Sequence, residues 1–189
     1  METNGRRASL DQEEPIMGLS PRALFTTGLA ALTLGLVLGA VAADTRVAPA
    51  PDGITMPEGY KNWRLIAPSY RPDKNHIRTI LGNDTAIEAT RAGKTRPWPD
   101  GTILAKLAWK TKTDEHFPDA TVPGDFVHAE FMIKDAKKYA ATGGWGFARW
   151  LGMELKPYGK DAGFVQECFG CHTPVKANDY VFTRPAILP

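Results

Sequence analysis

In Asp125-Phe126-Val127-His128-Ala129-Glu130-Phe131-Met132-Ile133-Lys134 the side chains alternate in character with a period of two. Successive side chains of an extended chain point to opposite faces, so Val127, Ala129, Phe131 and Ile133 share one face and Phe126, His128, Glu130 and Met132 the other. The first set predicts the core face of a strand; a helix would need apolar residues every three or four positions instead. Toward the C-terminus, Asp135 to Ala141 predicts a helical turn, and Gly143-Gly144 breaks the chain before a Trp-rich strand from Trp145 to about Leu151. Toward the N-terminus, a loop over Asp114 to Gly124 is preceded by a strand from Thr102 to Thr111, entered from the turn Pro97-Trp98-Pro99-Asp100-Gly101.

The same reading extends to the rest of the chain. Asp84 is placed to cap a short helix running to about Arg91 and ended by Gly93. Trp63 to Ala67 and His76 to Leu81 predict strands separated by the turn-prone Pro68 to Lys74. Asp179-Tyr180-Val181-Phe182-Thr183 is expected to close the sheet. The predicted fold is mainly β (α+β): an antiparallel sheet with a few short helices, no internal repeat, and a C-terminal segment carrying the chemistry.

Residues 1–43 form an address. From Ala23 to Ala43 the chain is almost wholly apolar, Arg22 supplies positive charge before it, and Ala40-Val41-Ala42 offers small residues for cleavage. This predicts a signal peptide or, with about 20 apolar residues, a membrane anchor, and a periplasmic location. The acidic run before it makes Met17 an alternative start. Residues 44–56, rich in Pro and small residues, read as a linker, leaving 57–189 as one domain with a core of its own. A net charge of +2 and the lack of a basic run interleaved with aromatics argue against nucleic acid as a partner.

Both cysteines lie in Cys168-Phe169-Gly170-Cys171-His172. A C-x-x-C-H run is the attachment signature of a c-type haem: two thiols bond the haem vinyls and the adjacent imidazole reaches the iron. The alternatives are a dithiol redox pair, which belongs at the start of a helix in a βαβ pattern, and a zinc half-site, which needs further ligands from His76, His116 and His128. No Met or His follows His172, so a sixth iron ligand must come from upstream, with Met132, Met153, His116 and His128 as candidates. The expectation is a five-coordinate iron with an open face. The Gly, Pro and Trp punctuation excludes a four-helix haem bundle.

With Pro57-Glu58-Gly59-Tyr60-Lys61-Asn62-Trp63, Asp100-Gly101-Thr102 followed by Lys106, Ile133-Lys134-Asp135-Ala136, Gly144-Trp145-Gly146-Phe147, the C-x-x-C-H run and Asp179 to Thr183, in that order, the chain resembles the cytochrome P-460 family, which includes the cytochromes c′-beta. The resemblance implies an antiparallel sheet domain, usually a homodimer, holding one covalent haem c with Cys168 and Cys171 as thioether partners and His172 as the proximal ligand to iron. Members of the cytochrome P-460 branch oxidise hydroxylamine and carry a lysine bonded to the porphyrin edge, whose setting Lys106 resembles. Members of the c′-beta branch bind nitric oxide or carbon monoxide behind an aromatic cap. Read from the residues alone, Lys106 shares a strand face with Leu104, Ala108 and Lys110 and is either a surface lysine or a haem neighbour. Arg149 shares a face with Phe147 and is either a surface cation or a partner for a propionate or a bound nitrogen oxide. Glu130 shares a strand face with His128; it is either half of an acid–base pair with that histidine or a member of a structural pair with a neighbouring strand, and it is not assigned as the family's distal acid. The resulting expectation is a haem protein acting on hydroxylamine with an external redox acceptor; the alternatives are a gas-binding protein without turnover and, least favoured, an electron carrier.

Overall fold

The computed structural model describes residues 47–187. The apolar run and its cleavage site lie outside the described residues.

The elements are β1 (Arg64–Arg71), β2 (His76–Gly82), α1 (Asp84–Arg91), β3 (Ile103–Thr113), β4 (Thr121–Lys134), β5 (Trp145–Leu151), β6 (Lys156–Pro157) and α2 (Phe164–His172). Short 3-10 turns occupy Tyr60–Asn62, Pro72–Lys74, Ala140–Thr142 and Thr173–Asn178. The six strands form one antiparallel sheet in chain order, each paired with its sequence neighbour. Short connections and nearest-neighbour pairing make this the topology with the least loop-closure cost.

Both faces of the sheet are covered, and the alternation in β4 decides what covers each. On one face Ala129 and Phe131 are 0% and 1% exposed. Phe131 meets Tyr60, Trp63 and Trp150 edge-on, with ring centroids 5.3, 6.5 and 5.7 Å apart. Residues read as linker pack here too: Ala50 and Ile54 are buried, and Trp150 Nε1 donates to the Ala48 carbonyl at 2.8 Å. On the opposite face, Ile80, Leu104 and Phe147 join Ile66, Trp98, Trp145, Val181 and the buried side of α1. Gly82 sits where β2 turns into α1; a Cβ there would lie 2.7 Å from that of Ala86, so the close approach of helix and strand requires glycine.

Four local expectations are corrected. The cap of α1 is Asn83, not Asp84: its Oδ1 accepts from the N–H groups of Ala86 (3.1 Å) and Ile103 (3.0 Å), and its Nδ2 donates to the Gly101 carbonyl (2.8 Å). β1 continues through Pro68 to Arg71, because an edge strand tolerates a residue without an N–H. β4 begins at Thr121, shortening the expected loop. Asp179 to Thr183 is not a strand: Asp179 and Tyr180 are left-handed, with φ of 49° and 62°, which breaks extended geometry.

Since Asn83 ties three backbone groups, one on α1, one on β3 and one in the turn between them, Asn83→Ala is expected to cost about 2 kcal/mol. Urea unfolding should show a lower midpoint at an unchanged slope, with Asn83→Asp losing less because it keeps both accepted bonds.

Candidate functional site

Helix α2 carries Cys168, Cys171 and His172, whose spacings of three and four residues put them along one side of the helix. Cys168 is half-buried against the packing clusters of both sheet faces and Cys171 is exposed; neither is in a disulfide. Burial pushes the Cys168 thiol up, which disfavours the thiolate a dithiol redox pair would need. Among the described residues no group of three or more His, Cys, Asp or Glu side chains could hold a metal ion, so nothing there completes a zinc site around the two thiols.

His172 is held in one orientation. Its Nδ1 lies 2.6 Å from the Tyr180 carbonyl oxygen, and since a carbonyl only accepts, Nδ1 carries the proton and the Nε2 lone pair is free for a metal. The ring is flanked by Phe147 (5.3 Å) and Phe182 (5.0 Å). Burial lowers the imidazole pKa and the bond to Tyr180 opposes this without reversing it, so the ring is neutral at neutral pH, as a ligand must be.

Beside α2 lies the second sheet face. Strand register puts Gly82, Leu104, Met132 and Phe147 in one row across β2 to β5, and Ile80, Lys106, Glu130 and Arg149 in the next. The latter row is charged through its centre. Glu130, with its side chain 16% exposed, pairs with Lys106 on β3 and approaches Arg149 Nε on β5 at 2.6 Å. His128 Nε2 lies 3.5 Å from the same carboxylate. The buried His128 Nε2 and Arg149 Nε make no aligned hydrogen bond, so the Arg149 approach is a contact of charges with its N–H directed elsewhere. The Arg149 guanidinium stacks over Tyr158 at 4.5 Å, and the Tyr158 hydroxyl donates to Glu167 on α2 at 3.0 Å, tying the row to the cysteine helix.

The charges act on one another and on α2. Burial alone would push Glu130 up, but the Lys106 and Arg149 cations outweigh it and hold the carboxyl below its usual range. Burial drives His128 down to about 4, with Glu130 opposing and Lys106 and Arg149 reinforcing the shift. Lys106, Glu130 and Arg149 all bias the titration of Cys168 and of His172.

Lys106, Arg149, Cys168, Cys171 and His172 therefore gather on one side of the sheet. Of the upstream ligand candidates, Met132 and His128 lie on this face, while Met153 is 76% exposed in the turn after β5 and His116 is in the loop between β3 and β4. Sequence reasoning missed the Tyr180 carbonyl, which has no side-chain signature. It placed Glu130 beside His128, as the structure does, but missed that Glu130 also sits between Lys106 and Arg149. Aligning β3, β4 and β5 through their apolar faces would have shown that row.

The donor set fits a haem: a helical C-x-x-C-H, an imidazole with Nδ1 engaged and Nε2 free, apolar Leu104, Met132 and Phe147, and a charged row in reach. The family model described as Cytochrome P460 matches residues 57–183. The chain belongs to the cytochrome P460 family. It is a haem-binding cytochrome, with iron as its metal. No curated protein matches it.

The neutral His128 sets an acid-stability profile. Its folded pKa of about 4 lies below the ordinary 6.5, so as pH falls from 6.5 toward 4 the unfolded chain takes up a proton that the folded chain refuses. Stability should fall through that window and His128→Gln should flatten it. Glu130, also depressed, contributes stability above the ordinary carboxylate range that is lost as pH falls through its lower folded value. Glu130→Gln should remove this second, more acidic component, as read by urea unfolding across pH.

Proposed function

We propose that this cytochrome is exported to the periplasm and oxidises hydroxylamine at a single haem c attached through Cys168 and Cys171, with His172 as the one protein ligand to iron. The observation that carries this reading is the Glu130 carboxylate held between Lys106 and Arg149 on the sheet face beside α2. A pocket for apolar diatomic gases has no use for such a row, since desolvating three charges costs free energy that gas binding does not recover. Hydroxylamine bears N–H and O–H donors and loses protons as it is oxidised, so an ionised carboxylate at the open face suits it.

When bound, the haem supplies iron that accepts electrons and passes them to an external redox acceptor. The protein's part is to orient and deprotonate. Glu130 Oε1 and Oε2 accept hydrogen bonds from the substrate's N–H and O–H and pass the released protons one at a time toward solvent, since a carboxyl held below its usual range does not keep them. Lys106 and Arg149 keep that carboxylate ionised before substrate arrives, and the Arg149 N–H groups are available to a nitrogen oxide oxygen. Neutral His128, 3.5 Å from Glu130, packs beside the carboxylate without adding a charge to the row. Lys106 shares that sheet face, which supports it as the lysine that the family resemblance joins to the porphyrin edge; once so bonded it no longer pairs with Glu130 as a cation, and Arg149 carries that part. The protein is expected to work as a homodimer.

Hydroxylamine turnover with an artificial one-electron oxidant tests this reading. Wild-type protein should turn over, and Glu130→Gln should lose on the order of 100-fold or more in kcat with haem content and carbon monoxide binding retained. Binding of carbon monoxide and nitric oxide without any turnover by the wild type would assign the chain to gas binding.

Peptide mapping of the haem tests the attachment. Haem should remain on the Cys168 to His172 peptide after denaturation, and a three-way species including the Lys106 peptide is expected, with a red-shifted ferrous Soret band that is lost in Lys106→Ala. An unmodified Lys106 peptide beside a haem-bearing cysteine peptide would contradict the lysine bond.

A further inference from the structure

Ile133-Lys134-Asp135-Ala136 and Asp179-Tyr180-Val181-Phe182-Thr183 meet in the fold, through two side chains, Lys134 and Asp179, that the haem chemistry leaves without a role. Lys134 Nζ donates to Asp179 Oδ1 at 2.8 Å across 45 residues of sequence. The two side chains are only 7% and 10% exposed. A pair this buried is seldom a stability device, because the desolvation of both ions offsets most of their attraction. What it does in this protein is fix the backbone next to His172.

Asp179 is held at every polar atom. Besides Lys134 on Oδ1, its Oδ2 accepts from Trp98 N–H at 2.9 Å, its carbonyl accepts from Trp145 Nε1 at 2.8 Å, and its N–H donates to the Lys176 carbonyl at 3.0 Å. Lys134 is fixed in turn: its ammonium lies 4.9 Å from the centre of the Trp145 ring and donates to the Gly143 carbonyl at 3.3 Å. These contacts hold Asp179 and Tyr180 in consecutive left-handed conformations, φ 49° and 62°, which side-chain-bearing residues adopt only under constraint. The Tyr180 ring lies so close to Gly143, itself at φ 67°, that a Cβ there would come within 2.2 Å of it. The product of this arrangement is the position of one atom, the Tyr180 carbonyl oxygen, 2.6 Å from His172 Nδ1.

We propose that Lys134 and Asp179 are positioning residues that set how strongly His172 donates to the haem iron. A carbonyl drawing on Nδ1–H gives the imidazole partial anionic character, which strengthens the bond from Nε2 to iron and favours the ferric state. If the pair is broken, the strained 179–180 backbone relaxes and the carbonyl leaves Nδ1. The inference rests on His172 being the iron ligand and is independent of what the open face binds.

The test uses haem-loaded protein, with two readouts: the ferrous iron–imidazole stretching frequency by resonance Raman and the reduction potential. Lys134→Met and Asp179→Asn should each lower the frequency and raise the potential. Ile87→Ala, which opens the same packing cluster but removes no polar contact to Asp179 or Tyr180, should move neither. An unshifted stretch in either haem-loaded variant, or an equal shift in Ile87→Ala, overturns the proposal; if one variant fails to load haem, the other carries the same two outcomes. A wild type lacking any iron–imidazole stretch would remove the His172 assignment itself, a result distinct from both.

Discussion

A carboxylate set into the face of a sheet has few ways of staying ionised, and Glu130 uses the strictest of them: one cation on each flanking strand. Its partners stand directly opposite in the register of β3, β4 and β5, so three strands must align to the residue for the row to form. A slip of one position would turn Glu130 toward the aromatic core around Phe131 and bring Phe131 out in its place. The charged row and the aromatic core are thus two results of one register, each disallowing alternatives to the other.

The proposed proximal side rests on a different constraint, the placement of one backbone carbonyl. His172 closes α2, and the chain then passes through a 3-10 turn into two left-handed residues before Val181 is buried. Arg149 stacked on Tyr158, and Tyr158 bonded to Glu167, bridge the charged row and the helix that bears the cysteines. The proposed haem ligand and the groups proposed to meet its substrate are therefore braced against each other through side chains of β5 and α2. Neither half depends on a loop free to wander, which suits a site where reacting atoms must be held within fractions of an ångström.

Much of this is visible in the sequence because it is local. The period-two pattern around Phe131, the Gly-Gly break before Trp145 and the C-x-x-C-H run each state their structure within ten residues. Features depending on distant partners are not visible in that way. Tyr180-Val181-Phe182 has the composition of a strand, yet Asp179, tied to Lys134 and Trp98, forces left-handed geometry on it. Pro68 signals a turn, and only its place on an edge strand lets β1 run through it. Asp84 looks like the helix cap, but Asn83 can also reach Ile103 and Gly101 and so takes the role. Lys106, Glu130 and Arg149 could each be named as candidates, while their assembly into one row is a property of register.

The proposed function requires the haem to lie between α2 and the charged sheet face. A crystal structure of the haem-loaded protein tests that most directly. It should show iron bonded to His172 Nε2 with no second side chain on the metal, and Lys106, Glu130 and Arg149 lining the haem's surroundings. A haem held away from that row, or one whose iron is closed by Met132 or His128, would contradict it.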